Sequence, residues 1–209
     1  MIEQQIRTWD VLDERILDLY RQVEREDFVV NTAHRNLAYG DLSLPIGEGE
    51  MMLEPKLEAR MLQILALVAG EKILHVGAGS GFFAALLGRL AGFVLSVEIS
   101  PTLAAAAQKR LSAAGINNVE VKIGDGAGGF ADGAPFDAVV LTGSVPFVNA
   151  SFFSVLKDGG RLLAVEGESP AMTLRLTQKK SADILIKKDI LETVIAPLHN
   201  APMPERFQF

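Results

Sequence analysis

The spacing of hydrophobic residues changes along the chain and predicts different elements in different regions. Between residues 3 and 23 they recur at helical spacing, which predicts one or two amphipathic helices with Trp9 and Leu12 on the buried face. Residues 31–56 are rich in turn formers and lack periodicity, so we expect an extended connecting segment, of a length that is uncommon unless it is functional. Residues 56–68 return to a helical pattern.

From Lys72 onward, short apolar runs alternate with helical patterns. Strands are predicted over 72–76, 93–98, 119–124, 136–142 and 160–166. Helices are predicted over 81–91, 102–115 and 147–157. Near-continuous apolar strands that alternate with helices are typical of a parallel sheet covered on both faces. The predicted fold class is therefore α/β: a doubly wound, Rossmann-like, mostly parallel sheet of about seven strands with an N-terminal helical extension.

The C-terminal region alternates polar and apolar residues instead. Residues 171–180 and 182–195 predict antiparallel strands that finish the edge of the sheet. Residues 196–209 carry three prolines and are expected to be irregular.

Composition and charge narrow the functional classes. The chain has no cysteine, which excludes thiolate catalysis, disulfides and cysteine-ligated zinc. Its net charge of −6 argues against nucleic acid as the main partner. No apolar run is long enough to predict a membrane span, and the acidic N-terminus does not resemble a secretory signal, so we expect a cytoplasmic protein.

A glycine-rich loop, Gly77-Ala78-Gly79-Ser80-Gly81, follows the first strand of the predicted sheet. Glycines are favoured there because a ligand must approach backbone amides that a Cβ would shield. The loop departs from the G-x-G-x-x-G dinucleotide fingerprint, since Phe82 stands in place of the third glycine. A P-loop is excluded because no Gly-Lys-Ser/Thr follows.

Polar residues also end the next three strands, at the edge where ligands of such folds bind. Glu98 ends the second strand, where a carboxylate can accept hydrogen bonds from both hydroxyls of a ribose. Asp125, between Gly124 and Gly126, ends the third and can meet an adenine amino group, and residues 141–146 end the fourth. A nucleoside without a pyrophosphate fits this arrangement best, so the predicted cofactor is S-adenosylmethionine.

With these motifs in place, the chain resembles the protein-L-isoaspartate O-methyltransferase family of class I S-adenosylmethionine-dependent methyltransferases over nearly its whole length. The supporting stretches are MIEQQIR, REDFV, NLAYGDLSLPIGEGE, LHVGAGSGF, VEI, IGDGAGGF, APFDAVVLTGSVP and LKDGGRLLAVEGE. Residues 37–49 are more specific than the glycine loop, because ordinary class I methyltransferases share the loop but not that segment.

The resemblance implies methylation of the free α-carboxyl of L-isoaspartyl residues in damaged proteins or peptides, which is a repair reaction. That carboxylate is ionised at neutral pH, so alignment and exclusion of water matter more than a general base. The implied organisation is one domain over 1–209, with a substrate-side region (1–70), a cofactor-binding core (71–170) and C-terminal strands with a tail (171–209). The implied cofactor-binding residues are His75, Gly77, Ala78, Gly79, Ser80, Gly81, Glu98, Ile99, Gly124, Asp125, Gly126 and Thr142.

Two departures from the family pattern concern opposite sides of the site. After PIGEGE the family usually reads Thr-Ile-Ser-x-Pro, whose hydroxyls help to hold the substrate carboxylate. Here the sequence has Met51 and, at the position of the family serine, Leu53. A carboxylate beside these side chains without donors would be costly to bury.

Several groups could compensate for the missing hydroxyls. Lys56 could clamp the carboxylate as a point charge, or it could be a solvated lysine at the start of the next helix. Thr142, Ser144 and the backbone amides near Gly47 and Gly49 are further candidates. The predicted catalytic residues are Leu53, Lys56, Thr142 and Ser144.

The second departure is His75, where the family usually has an acidic residue that positions the methionine amino group. A neutral imidazole with an acceptor nitrogen could take that role, or the ring could fill the strand end and make one hydrogen bond. With His34 and His199 it forms no recognisable triad or metal cluster, so no metal site is predicted.

Two alternatives to isoaspartyl methylation stay open. The apolar Met51–Leu53 wall would suit a methyltransferase of this fold with a different acceptor. Leu53 and His75 together would suit a cofactor-binding homologue that has lost transfer activity. The sequence leaves the oligomeric state and any lid motion of residues 31–56 undetermined.

Overall fold

The computed structural model describes residues 1–203 and confirms the predicted fold class. The α-helices of this range are α1 (Glu14–Gln22), α2 (Pro55–Leu65), α3 (Phe82–Leu90), α4 (Pro101–Ala113) and α5 (Ala150–Ser154). The strands are β1 (Leu44–Gly47), β2 (Glu50–Met52), β3 (Lys72–Val76), β4 (Phe93–Glu98), β5 (Val119–Ile123), β6 (Phe136–Leu141), β7 (Leu156–Glu168), β8 (Ala171–Ser181) and β9 (Ile184–Glu192).

Seven of these strands form one sheet in the order β5-β4-β3-β6-β7-β8-β9. Strands β3 to β7 pair in parallel, and β8 and β9 are antiparallel, as the alternating C-terminal pattern predicts. The order reverses at β3, which lies between β4 and β6. Ligands of doubly wound sheets bind at the carboxyl ends of the strands beside such a reversal.

Alternate residues of the central strands point to two separate hydrophobic clusters. Ile73 belongs to a cluster that includes buried residues of α1, α2, α3 and α4. Leu74, the next residue of β3, belongs to a cluster on the other face that includes Phe152 of α5. The sheet is therefore buried on both sides, which explains why its strands read as continuous apolar runs.

The N-terminal region is helical in two parts. A π-helical turn (Ile2–Ile6) and a 3-10 turn (Arg7–Trp9) end at Asp10, whose φ of 56° is left-handed. The second part is α1, which begins after Asp13, because the Asp13 carboxylate accepts a hydrogen bond from the amide of Arg15 at 2.9 Å.

Two apolar residues of this region are not placed as predicted. Leu12 lies in the break between the helices and is 66% exposed, so its assignment to the buried face is wrong. Trp9 is half-buried and is not part of the core, since its ring lies under the ammonium group of Lys56, 4.7 Å from Nζ to the ring centroid.

The segment 31–56 contains more regular structure than the sequence indicates. It begins with a 3-10 helix (Thr32–Leu37) and continues into the antiparallel β1–β2 hairpin. The turn of the hairpin holds Gly47, Glu48 and Gly49 at φ values of 98°, 54° and 85°, which reverses the chain over a few residues. The prediction of an extended connection is therefore corrected for this segment.

The remaining differences lie at element ends. Helix α5 is shorter than the predicted 147–157, because Asn149 caps it and β7 already begins at Leu156. Residues 196–203 are irregular apart from one bridge, as predicted, while residues 204–209 of the same prediction lie outside the described range. Within residues 1–203 no helix combines the length and the apolar character that crossing a membrane requires.

Candidate active site

A cavity of about 410 Å³ lies at the carboxyl ends of β3, β4, β5 and β6. Its volume is within the range of small-molecule sites. Most of the predicted cofactor-binding residues meet there, and those that line it are Gly77, Ala78, Gly79, Ser80, Glu98, Ile99, Gly124, Asp125, Gly126 and Thr142. Much of the remaining wall comes from the β1–β2 hairpin and from residues 194–199, and α2, α3 and α4 contribute one residue each.

The glycine turn leaves no room for side chains. Gly77 has a φ of 97°, and a Cβ there would lie 2.7 Å from Oγ1 of Thr142. A Cβ on Gly79 would lie 3.0 Å from Cδ1 of Ile46, because the hairpin folds over the turn. Gly81 does not line the cavity: it precedes α3 with a φ of 89° and packs against Ala107 of α4, so its predicted role is corrected to helix packing.

Glu98 presents a buried carboxylate to the cavity and is only 6% exposed. Its Oε2 accepts a hydrogen bond from the amide of Gly79 at 2.8 Å, and its Oε1 accepts one from the amide of Ser100 at 3.0 Å. Each carboxylate oxygen can accept a second hydrogen bond, so the two amides fix the orientation of the group and leave acceptors for a ligand. In the described part of the chain no basic side chain forms an ion pair with it.

Asp125 lies in the turn after β5 and is exposed at the cavity rim. Its Oδ1 accepts a hydrogen bond from the amide of Ala127 at 3.0 Å, and its Oδ2 accepts one from Nδ2 of Asn200 at 2.9 Å. The C-terminal segment is thus attached to the turn that carries the predicted adenine contact.

His75 is fully buried behind the cavity wall and does not line the cavity. Burial lowers the pKa of its imidazole from 6.5 to about 3, so the ring is neutral. The Thr142 hydroxyl donates its one proton to backbone oxygen, with Gly77 O at 2.8 Å, so we assign Nε2 of His75 as the donor to Thr142 Oγ1 at 3.0 Å. Nδ1 then accepts from the hydroxyl of Ser96 at 2.9 Å.

This chain of hydrogen bonds corrects the predicted role of His75. The ring does not reach the cavity surface, so it does not contact the methionine part of a cofactor in place of the family's acidic residue. Instead it orients Thr142, which does line the cavity. The alternative in which His75 fills the strand end is closer to the structure, although the ring makes two side-chain hydrogen bonds rather than one.

The hairpin side of the cavity is largely apolar. Met51, Met52 and Leu53 line it, and the sequence stretch that they form offers no hydroxyl. Ser43, which the sequence analysis missed, supplies a hydroxyl from the loop before β1. Among the residues that the structure describes, no group of three or more His, Cys, Asp or Glu side chains is placed to hold a metal ion.

Two predicted catalytic residues lie outside this cavity. Nζ of Lys56 is 2.8 Å from Asp41 and 3.2 Å from Glu54, and these two acids neutralise its charge. Ser144 is 1% exposed and donates to the backbone oxygen of Ile195 at 3.2 Å. The predicted carboxylate clamp at Lys56 and the substrate contact at Ser144 are therefore corrected to structural roles.

Glu58 also lines the cavity and was missed from the sequence. It is 2% exposed and forms a buried ion pair with Arg25, which is 1% exposed. The signal available in the sequence is its position on α2: Glu58 shares the apolar face of that helix with the buried Leu62 and Leu65. A carboxyl on such a face is rare unless it is paired.

The reversal of strand order, the glycine turn and the carboxylate at the end of β4 together define a doubly wound α/β protein of the Rossmann-like, nucleoside-binding class. Within this class the chain belongs to the protein-L-isoaspartate(D-aspartate) O-methyltransferase family, whose model matches residues 1–202. The resemblance seen in the sequence motifs is thereby confirmed.

Curated relatives support this membership. The chain is 41% identical over 186 residues to protein-L-isoaspartate O-methyltransferase 1 of Rhodopseudomonas palustris (strain HaA2), which covers 88% of this chain and 76% of the relative. It is 41% identical over 167 residues to the protein-L-isoaspartate O-methyltransferase of Methanoculleus marisnigri, which covers 80% of this chain and 76% of the relative.

Solved structures agree in fold. One protein-L-isoaspartate O-methyltransferase superposes with a TM-score of 0.82 at 28% identity over 94% of this chain, which spans 65% of the length of that structure. A second, described as a putative enzyme of this family from Plasmodium falciparum in complex with S-adenosyl-L-homocysteine, superposes with a TM-score of 0.79 at 18% identity. The alignment covers 94% of this chain and 96% of that one.

Proposed function

We propose that this protein is an S-adenosylmethionine-dependent O-methyltransferase that acts on the free carboxylate of L-isoaspartyl residues in damaged proteins or peptides. Membership of the family supports the reaction. The observation that carries the cofactor assignment is the buried carboxylate of Glu98, which two backbone amides hold toward the cavity beside the glycine turn. When bound, S-adenosylmethionine supplies an activated methyl group on its sulfonium.

The chain's own residues fit this cofactor. Glu98 would accept hydrogen bonds from the ribose hydroxyls, and Asp125 would accept one from the adenine amino group. The turn at Gly77 and Gly79 lines the cavity without side chains, so its backbone would be open to the rest of the molecule. Thr142, oriented by His75, lines the same cavity.

The acceptor would enter on the hairpin side, where Ser43 and Met51 to Leu53 line the cavity. Its carboxylate oxygen forms the new bond to the methyl carbon while the bond from that carbon to sulfur breaks, and the products are a methyl ester and S-adenosylhomocysteine. Because the carboxylate is already ionised, the chain needs to align it and to exclude water rather than to remove a proton.

The test is methyl-ester formation on a peptide that contains one L-isoaspartyl residue, compared with the same peptide containing L-aspartate. We expect base-labile methyl incorporation into the isoaspartyl peptide only. A Glu98→Gln variant should lose most of this incorporation at low cofactor concentration. Absence of incorporation by the wild-type protein, with the cofactor bound, would contradict the proposed reaction.

The exposed side chain of Met51 favours a second candidate, a methyltransferase for a less polar acceptor. Comparison of product from the isoaspartyl peptide with product from a cell extract would distinguish the two. Cofactor binding without turnover on either would indicate a homologue that has lost transfer activity, and the Met51→Thr/Leu53→Ser double variant should then recover part of it. The cytoplasmic location and the exclusion of nucleic acid as partner stay predictions.

A further inference from the structure

One carboxyl group in the cavity wall has a free oxygen. Arg25 Nη1 donates to Oε2 of Glu58, and no hydrogen bond within residues 1–203 reaches Oε1. Oε1 does not belong to the fully buried polar atoms without a partner. Although Glu58 as a whole is only 2% exposed, this oxygen therefore keeps some accessible surface. Since Glu58 lines the cavity, this second oxygen is the part of the side chain that faces it.

Arg25 lies behind Glu58 and is held away from the cavity. Its Nη2 donates to the backbone oxygen of Leu53 at 2.5 Å, and its guanidinium lies 4.7 Å from the ring centroid of Phe82. In the described chain Glu58 is the only carboxylate paired with it. The charge of this buried guanidinium is therefore balanced by one group, and that group borders the cavity.

The groups around Glu58 allow it to hold a proton near neutral pH. Burial raises the pKa of its carboxyl to about 7, and Arg25 opposes that rise. From α1 the hydroxyl of Tyr20 donates to the backbone oxygen of Pro55, and from α3 the ring of Phe82 lies under the guanidinium of Arg25. The other charged or titratable residues that line the cavity are the acids Glu50, Glu98 and Asp125, which do not favour a second negative charge, and His199, which pairs with Glu50.

We propose that the protonated carboxyl of Glu58 donates a hydrogen bond from Oε1 to the carboxylate of the acceptor, on a wall where residues 51–53 offer no hydroxyl. This inference rests on the proposed function, and it identifies Glu58 as the residue that binds the carboxylate of the acceptor. The proton comes from solvent when the acceptor binds and stays on Glu58 during transfer. It returns to solvent after the neutral ester leaves.

The electrostatic balance of the Arg25–Glu58 pair explains why acceptor binding and protonation of Glu58 are coupled. Ionised Glu58 neutralises Arg25 and repels an approaching carboxylate. Protonated Glu58 leaves the charge of Arg25 without a counterion, and an anion that binds beside Glu58 in the cavity offsets this charge through space. Acceptor binding and protonation of Glu58 therefore favour each other.

The sign of the pH dependence follows from this coupling. Below about pH 7 the proton is already on Glu58 and the affinity for the acceptor is insensitive to pH. Above about pH 7, Glu58 must take up one proton for each acceptor that binds, so the affinity for the acceptor falls about tenfold per pH unit.

The experiment titrates S-adenosylhomocysteine-bound protein with an isoaspartyl peptide by calorimetry at pH 8, in two buffers of different ionisation enthalpy. We expect uptake of close to one proton per peptide by the wild-type protein. Glu58→Gln, which donates from its amide at any pH, should show no uptake and should bind the peptide about tenfold more tightly at pH 8. Glu54→Gln, four residues earlier and outside the cavity, should keep the wild-type uptake.

A purely structural role for Glu58 would not give tighter binding after its substitution. Binding and methylation of the peptide by the wild-type protein without proton uptake would overturn the inference and leave the proposed function standing. Failure of the wild-type protein to bind or methylate the peptide would overturn the proposed function and, with it, the acceptor named here. The wild-type measurement decides the inference even if the Gln variant does not fold.

Discussion

His199 Nε2 lies 2.7 Å from Oε1 of Glu50, and this contact joins the C-terminal segment to the β1–β2 hairpin. The next residue, Asn200, donates from Nδ2 to Asp125 Oδ2 at 2.9 Å in the turn after β5. Two neighbouring residues thus attach the segment to both rims of the cavity. Between the rims, Leu198 packs directly against Gly143 and closes part of the wall.

The first prediction concerns these two attachments. His199→Ala combined with Asn200→Ala should weaken S-adenosylmethionine binding several-fold, because the wall beside the glycine turn loses its supports. The free energy of unfolding should fall by about 1–2 kcal/mol, because the exposed pairs contribute little and alanine is strained at the left-handed position of Asn200 (φ 58°). Calorimetry and urea unfolding measure the two quantities. Lys188→Ala, an exposed change on β9, is the control, and equal affinities of the two proteins would contradict the prediction.

The second prediction concerns Glu98, whose two oxygens accept hydrogen bonds from the amides of Gly79 and Ser100. Glu98→Gln replaces one acceptor oxygen with an NH₂ group that must face a donor, and it removes the charge. We expect about 10- to 100-fold weaker S-adenosylmethionine binding, as for loss of a hydrogen bond to a charged group. Glu120→Gln, an exposed change on β5, should leave the affinity unchanged. A Glu98→Gln protein that binds as the wild type would remove the basis for the ribose contact.

The third prediction uses two glycines in one turn. A Cβ on Gly126 would lie 2.6 Å from Cγ1 of Val76, whereas a Cβ on Gly128 would meet nothing within 4 Å. Gly126→Ala should lower the free energy of unfolding by about 1–3 kcal/mol, through overpacking at the end of β3. Gly128→Ala should be neutral or slightly stabilising, because it restricts the unfolded chain. Urea unfolding of both variants is the measurement. Similar losses of unfolding free energy in both variants would contradict the expected overpacking of a Cβ at Gly126 against Val76.

That Glu98, Asp125 and Thr142 line one cavity could be predicted because of how parallel strands end. Glu98 ends a strand that can be recognised from its apolar run, and Asp125 and Thr142 follow two others; such strand ends meet at one edge of the sheet. Predicting that these three residues lie close together requires no knowledge of their side-chain partners. Backbone topology alone brings them together.

The acceptor side depends on partners that the sequence does not reveal. Arg25 and Glu58 are 33 residues apart, and His199 and Glu50 are 149 apart. A charge on the apolar face of α2 indicates a buried pair, but only the folded chain shows that its partner is Arg25, at the start of a 3-10 helix (Arg25–Phe28). Lys56 was misassigned for the same reason, since its partners Asp41 and Glu54 neutralise it outside the cavity.

The last prediction concerns the neutral His75. Its pKa is about 3 in the folded protein and close to the ordinary 6.5 in the unfolded chain. Between these values the unfolded state binds more protons, so the contribution of His75 to stability is complete above about pH 6.5 and is lost as the pH falls. From pH 7.5 to pH 5 this amounts to about 2 kcal/mol, at 1.36 kcal/mol per pKa unit.

His75→Gln tests this contribution because it can keep a donor for Thr142 and an acceptor for Ser96 without a titrating group. The variant should be less stable than the wild type at pH 7.5, since the amide fills less of the buried space. Its stability should nevertheless fall by about 2 kcal/mol less than that of the wild type between pH 7.5 and pH 5. Urea unfolding of both proteins at the two pH values gives this difference. Parallel losses would show that His75 is not the buried neutral group that makes the fold acid-sensitive.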